Sequence, residues 1–339
     1  MLSRLTQNVF QFSSAKNYQE LKDITGALRD ENGSLRDFSD FRNAVKELNH
    51  KYNRDWLETE YNTAVASAAS SARWAEFENE ADIMPMLRYE TIGDDRVRES
   101  HRLLNGVTKP ITDSFWKTYY PPNGWNCRCE ALQVPESNAQ EVNPVSLPNV
   151  PQMFRTNLAE NGLIFPKNHP YYDGVPKDVL KRSLQYIPEE FAYIVKPEYE
   201  EHAMVQHEDE AGENREIAKL LYQSGERNIR LMPRIDASEQ ERRKYIYGED
   251  YAASHFAKCT DSFIEEESFE FKRCVKNQKL KRIRKAAEQA DNAVIEITEK
   301  LKQSDVDLFV NNRWKDSHCA NLKRIIIIND GKVYKYSRS

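Results

Sequence analysis

The apolar positions of this chain change period along its length, and each change marks a new kind of element. From about residue 16 to 90 they recur at spacings of three and four, in YQELKDITGALRD and again in FSDFRNAVKELNHKYNRDWLETEYNTAVASAASSARWAEFENEA. That spacing predicts helices, the second one long and alanine-rich, with Ser39 or Asp40 as its cap. Near Met84 the helical period stops. Between Leu87 and Val134 aromatics, Gly and Pro are frequent, which predicts short strands and loops. From Pro135 to Pro170 prolines and asparagines predict an extended, irregular segment, and the acidic stretch Glu189–Glu216 reads as a linker. No internal repeat is visible.

Beyond that stretch the pattern becomes orderly. ENREIAKLLYQSG predicts an amphipathic helix closed by Gly225. NIRLMP predicts a strand, and SEQERRKYIYG is weakly helical or a loop. KCTDSFIEEESFEFKRC predicts two strands around an acidic turn, VKNQKLKRIRKAAEQADNA a helix, AVIEI a strand and SDVDLFVNNRW a short helix. KRIIIIND-GKVYKYS predicts a hairpin turning at Asp330-Gly331. This order implies an α/β unit around one mixed sheet. The expected organisation is therefore multidomain α+β: residues 1–180 as a helical region with a small mixed module, 181–212 as an acidic linker, and 213–339 as the α/β unit.

Composition refines this picture. Hydrophobic residues make up 39% and charged residues 30% of the 339, and no run of about 18 apolar residues exists to span a bilayer. The N-terminal residues lack the apolar stretch and cleavage site of a signal peptide. Five cysteines, odd in number and irregular in spacing, argue against a disulfide framework and for a reducing compartment. Charge is divided unevenly. From Ile217 onward there are 25 Lys+Arg against 19 Asp+Glu, and before it 24 against 35, which places a polyanion-binding surface in the second half.

The chemistry-bearing motif is TDSFIEEESFEFK. In a strand Glu270 and Lys272 share a face while Phe269 and Phe271 share the other. If Asp261 lies on the neighbouring strand, two carboxylates and a lysine converge. Two carboxylates suit a hard divalent cation, Mg²⁺ in the first place and Mn²⁺ or Zn²⁺ as alternatives. A basic run follows at once: Lys272, Arg273, Lys276, Lys279, Lys281, Arg282, Arg284 and Lys285, with no acid before Glu288. Such a run suits phosphate backbones. A solvated strand face and an ordinary exposed helix are the alternatives that spacing alone leaves open. His255 and His318 could be general acids, but solitary histidines are more often structural or solvent-facing.

On Thr260-Asp261 and Glu270-Phe271-Lys272, with the order of elements over about 213–336, this region resembles the PD-(D/E)xK nuclease superfamily. It looks nearest to the C-terminal domains of contact-dependent growth inhibition and related polymorphic toxins. Thr260 stands where that pattern usually has proline. The resemblance implies a restriction-endonuclease-like fold, a supporting carboxylate from the first helix (Glu213 or Glu216), a role for Gln289 in orienting water or phosphate, and Asp261 and Glu270 as metal ligands. It also implies tRNA ahead of DNA as substrate and a cognate immunity protein.

The segment DDRVRESHRLLNGVTKPITDSFWKTYYPPNGWNCRCEALQV carries Arg98, His101, Gly106, Phe115-Trp116, Pro121-Pro122, Gly124-Trp125 and Cys127-Arg128-Cys129. With Met153-Phe154, Asn157 and His169-Pro170-Tyr171 downstream, it resembles the phage Mu F-like minor head protein family over roughly 55–175. The stretch before 55 is short for a full member. The resemblance implies phage portal or head proteins as partners. Together the two halves imply a protein of the virion or bacterial cytoplasm whose nuclease acts in a recipient-cell cytoplasm. A DNA endonuclease on the same fold, or a non-catalytic virion protein that binds nucleic acid, are the alternatives. His101, Cys127 and Cys129 could meet around Zn²⁺. Three ligands with C-x-C spacing are one short of a closed site, so sequence alone favours a packed turn with two buried thiols and a hydrogen-bonded histidine.

Overall fold

The computed structural model describes residues 1–275 and 278–338, and the chain divides into two compact units, 1–183 and 184–339. Expectation and structure agree on a helical N-terminal region followed by a mixed-sheet unit. No helix among the described residues is long and apolar enough to cross a membrane.

In the first unit, α1 (Leu2–Gly26), α2 (Phe38–His50) and α3 (Trp56–Glu80) supply the helices, with a π-helical turn Lys51–Asp55 joining the last two. Helix α1 begins well before the expected start. The cap of α2 is Asp37, whose carboxylate accepts the Asp40 N–H at 3.0 Å, rather than Ser39 or Asp40. Three antiparallel strands follow in the order β2-β1-β3: β1 (Met86–Glu90), β2 (Thr108–Pro110) and β3 (Glu130–Val134). Short helices α4 (Glu99–Arg102) and α5 (Phe115–Tyr119) lie between them, and α6 (Lys177–Ser183) ends the unit. Alternation along β1 sends Leu87 and Tyr89 into a core with Trp74, Leu104, Trp116 and Tyr120. The irregular segment after β3 is anchored rather than loose. Phe154, Leu158, Ile164 and Phe165 are buried, and the buried Asn8 amide of α1 bonds the backbone of Ile164 and Phe165.

The second unit is one eight-stranded mixed sheet, in the order β11-β10-β9-β8-β7-β6-β5-β4. After α7 (Glu189–Ala192) come β4 (Tyr193–Val195), β5 (Glu200–His202), α8 (Ala211–Gln223), β6 (Ile229–Leu231), α9 (Gln240–Tyr247), α10 (Glu249–Ser254), β7 (Ser262–Ile264), β8 (Glu267–Cys274), α11 (Lys279–Ala287), β9 (Asn292–Ile297), α12 (Gln303–Trp314), β10 (Arg324–Asn329) and β11 (Lys332–Ser337). Strands β8, β9 and β10 run parallel. Such strands are covered on both faces, and the run Ile325–Ile328 is buried throughout. Ile326 and Ile328 pack with Phe269, Phe271 and α8, whereas Ile325 and Ile327 pack with α11 and α12.

The segment 181–212 is not a linker. It carries β4 and β5, which extend the sheet beyond β6. Its acidity is matched within the fold: Arg215 of α8 clasps the buried Glu201 carboxylate at 2.5 and 2.6 Å, and Arg230 of β6 lies 3.5 Å from Glu200.

Two hairpins close by two-residue turns with both central residues at positive φ. At Asp330-Gly331 the sequence suits this geometry. At Glu265-Glu266 (φ 50° and 68°) two glutamates occupy it at a steric cost. Replacing them together by Asn-Gly is expected to stabilise the second unit by about 1 kcal/mol, read as a higher denaturant midpoint. An unchanged midpoint would mean the turn is not strained.

Candidate active site

Asp261 lies immediately before β7, and its carbonyl accepts the Met232 N–H at 2.9 Å. The carboxylate is turned inward. Its Oδ2 accepts the Phe271 N–H at 2.9 Å, and its Oδ1 lies 3.4 Å from the Asn214 amide nitrogen. Thr260 has its hydroxyl 2.9 Å from the Phe269 carbonyl, which ties the start of the hairpin to β8.

Glu270 and Lys272 share one face of β8. The Lys272 ammonium donates to Glu270 Oε1 and lies 3.8 Å from Asp261 Oδ2. Gln289, just past α11, donates its amide to the same Glu270 oxygen at 2.6 Å. The other oxygen, Oε2, is buried and meets no donor group among the described residues. Glu270 is 1% exposed and Asp261 5%. Burial, and then the Asp261 charge, push the Glu270 carboxyl well above its ordinary range, against the opposing pull of Lys272. Burial would lower the Lys272 ammonium, but Asp261 and Glu270 more than offset it and raise it. Two carboxylates and one lysine therefore converge in a dry place that resists charging both carboxylates at once.

The structure adds residues that spacing did not reveal. Asn214 is the α8 residue that reaches Asp261. Tyr251 of α10 donates its hydroxyl to the Gln289 carbonyl at 2.6 Å, fixing the residue that grips Glu270. The Arg234 guanidinium interacts electrostatically with Asp261 and Glu270 and is paired with Glu210. None of these lies in the local motif, and only the tertiary fold assembles them.

Glu213 and Glu216 do not join the centre. Both pair with Arg273, at 3.7 and 2.8 Å, and Arg273 also binds Glu296 at 2.5 Å. Strand alternation puts Arg273 on the α8 side of the sheet and Lys272 on the other. Helix α8 presents Asn214, Ile217, Ala218 and Leu221 to the interior, which leaves 213 and 216 on its flank. Arg273 is thus a structural cation rather than a free phosphate ligand. Lys279 (Glu299, 3.3 Å) and Arg284 (Asp316, 2.9 Å) are likewise engaged. Lys281, Arg282 and Lys285 have no ion pair among the described residues, and Lys281 and Lys285 are exposed. Lys276 lies outside the described residues. His255 stacks on Tyr251, with ring centroids 4.4 Å apart, and His318 contacts Asp316; neither reaches the carboxylates.

In the first unit, His101, Cys127 and Cys129 meet, all buried, with His101 Nδ1 at 3.7 and 3.5 Å from the two sulfurs. Hydrogen bonding from the Cys129 thiol, and then His101, lower Cys127 to about 4 against its burial, and Cys129 rises in turn.

Residues 21–132, which hold that cluster, match the family model described as Phage Mu protein F like protein. The "Putative capsid assembly protein F" of Escherichia phage Mu is 37% identical over 86 residues, covering 25% of this chain and 20% of that protein. The Mu-like prophage FluMu F protein of Haemophilus influenzae is 37% identical over 84 residues, with the same coverage. The chain therefore carries a phage Mu F-like domain, related to the F proteins of Mu and a Mu-like prophage, and the alignments span a fifth of the length of those relatives. No solved structure matches this chain.

Proposed function

We propose that the second unit is a metal-dependent endonuclease of PD-(D/E)xK type, joined to a Mu F-like domain that attaches it to a phage head. The observation that carries this reading is the convergence of Asp261, Glu270, Lys272 and Gln289, with one Glu270 oxygen buried and without a donor among the described residues. A buried oxygen without a donor beside a second carboxylate is costly as it stands and suits a hard cation. Asp261 and Glu270 would hold that ion, Mg²⁺ by the preference of oxygen ligands. The ion supplies polarisation of a phosphate and a more acidic bound water. The chain's own residues do the rest. Gln289 orients Glu270. The Lys272 ammonium, kept protonated by the two carboxylates, is placed to stabilise charge on phosphoryl oxygens. Lys281, Arg282 and Lys285, without an ion pair among the described residues, offer cations to a backbone.

The substrate we assign first is tRNA, on the resemblance to contact-dependent toxins; such a toxin calls for a cognate immunity protein. The related capsid assembly protein supports a phage-particle partner for residues 21–132.

The test is cleavage of tRNA, total RNA and plasmid DNA by the full chain with Mg²⁺, Mn²⁺, Zn²⁺ or EDTA, beside Asp261→Ala and Lys272→Ala. Metal-dependent cutting abolished by both substitutions in folded protein is expected. Cutting of DNA alone would reassign the substrate. Salt-sensitive binding without cutting would replace the enzyme with a nucleic-acid-binding virion protein.

A further inference from the structure

The sulfurs of Cys127 and Cys129 and the Nδ1 of His101 all lie within 4.8 Å of one another, and all three residues are buried. Both sulfurs crowd a single nitrogen, at 3.7 and 3.5 Å. Hydrogen bonding accounts poorly for this. A neutral imidazole nitrogen has either one lone pair or one proton, so it bonds one sulfur, and the other can only turn to the neighbouring thiol although it lies almost as near the nitrogen. A cation at the centre serves all three. With Zn–S about 2.3 Å and Zn–N about 2.0 Å, a tetrahedral ion gives N···S edges of about 3.5 Å. The observed separations lie at that length.

The ligands are also held in place from outside. Arg98 donates to the Trp125 carbonyl at 2.6 Å, and Arg128 forms a two-pronged pair with Asp94 at 2.7 Å on each prong. These contacts tie the cysteine turn to the segment carrying α4 and His101, independently of any ion. Beside the cluster is a cavity of about 20 Å³, bordered by all three residues and by Ile92, Arg98 and Asn126. A water needs at least about 10–15 Å³ of such space. The cavity adjoins a cleft of about 910 Å³ lined by Arg73, Arg96, Arg98 and Arg128, onto which the two cysteines also face.

We propose that His101 Nδ1, Cys127 Sγ and Cys129 Sγ bind one Zn²⁺, with a water in the small cavity as fourth ligand. Two thiolates balance the dication, so the buried site is neutral when filled. The ion pins the turn that precedes β3 to α4.

The test uses the full chain carrying Asp261→Ala, which removes the carboxylate site of the second unit as a competing acceptor. Purified protein is expected to contain one zinc per chain. Replacement by Co²⁺ should produce thiolate-to-cobalt charge transfer and the visible bands of a tetrahedral site. Cys129→Ser should remove the charge transfer or weaken it markedly, whereas Cys259→Ser and Cys319→Ser should leave it intact. Because a cysteine variant may not fold, the same protein is also titrated with a thiol reagent: a chelator should expose two further thiols. A folded chain that takes up no Co²⁺ with thiolate bands, and whose thiol count a chelator leaves unchanged, would overturn the proposal. So would a Cys127–Cys129 disulfide in the purified protein.

Discussion

Glu270→Gln is expected to lower cleavage by on the order of 10³-fold while leaving the metal-free protein at least as stable as the wild type. Glutamine keeps an oxygen for Lys272 and Gln289, the two donors that hold Glu270 Oε1. It removes a buried carboxylate beside Asp261, one oxygen of which meets no donor group among the described residues. Without a cation the charge of that carboxylate opposes folding, so the loss of activity and the loss of fold separate cleanly. Thermal unfolding in EDTA and in Mg²⁺ checks both halves. The wild type should gain stability with Mg²⁺ by mass action, and the glutamine variant should gain little. A variant that still cut at nearly the wild-type rate would remove Glu270 from the site.

Arg243→Ala should be among the most destabilising single changes in the second unit. The side chain of Arg243 is fully buried, and no carboxylate pairs with it among the described residues. Its guanidinium donates to the carbonyls of Ile235 (2.9 Å), His255 (2.8 Å) and Lys258 and to Cys259 Sγ (3.2 Å), and it lies over the Tyr247 ring. These bonds close the excursion from Ile235 to Cys259 that delivers the chain to Asp261. Truncation strands several buried acceptors at once, at a cost of about 3–5 kcal/mol. For a unit of this size that lowers the unfolding temperature by about 10 °C, read by calorimetry. Arg243→Lys should rescue little, because an ammonium lacks the planar fork that reaches acceptors on several sides. A loss under 1 kcal/mol for the alanine variant would refute this account.

What was legible in the sequence was local. Asp330-Gly331 announces its turn because both residues tolerate positive φ. Glu270 and Lys272 share a face because a strand has period two, and Gly225 closes α8 as a helix stop should. What was not legible depends on packing between distant segments. Glu213 and Glu216 look like better site residues than Asn214, and only the rotation of α8 against Phe269 and Phe271 turns Asn214 towards Asp261. Arg243 sits in the polar string QERRKY and reads as surface, yet carbonyls from a later loop bury it. The acidic residues of β5 read as solvated because their partners, Arg215 and Arg230, come later in the chain. The basic run that begins in β8 has the composition of a polyanion-binding surface, but carboxylates from α8, β9 and the segments after β9 and α12 take up Arg273, Lys279 and Arg284.

The edge strand β4 and its neighbour β5 also bear on inheritance. A chain that acquires or trades this unit as a cassette must break at the junction between Ser183 and Leu184, upstream of the acidic stretch that looks like a natural seam. A crossover inside that stretch would leave Tyr193–Val195 with the donor, and Arg230 and Arg215 would face a replacement edge without their glutamates. Gene fusions that respect the earlier junction keep the sheet whole, and the compositional boundary is then a scar of folding, not of recombination.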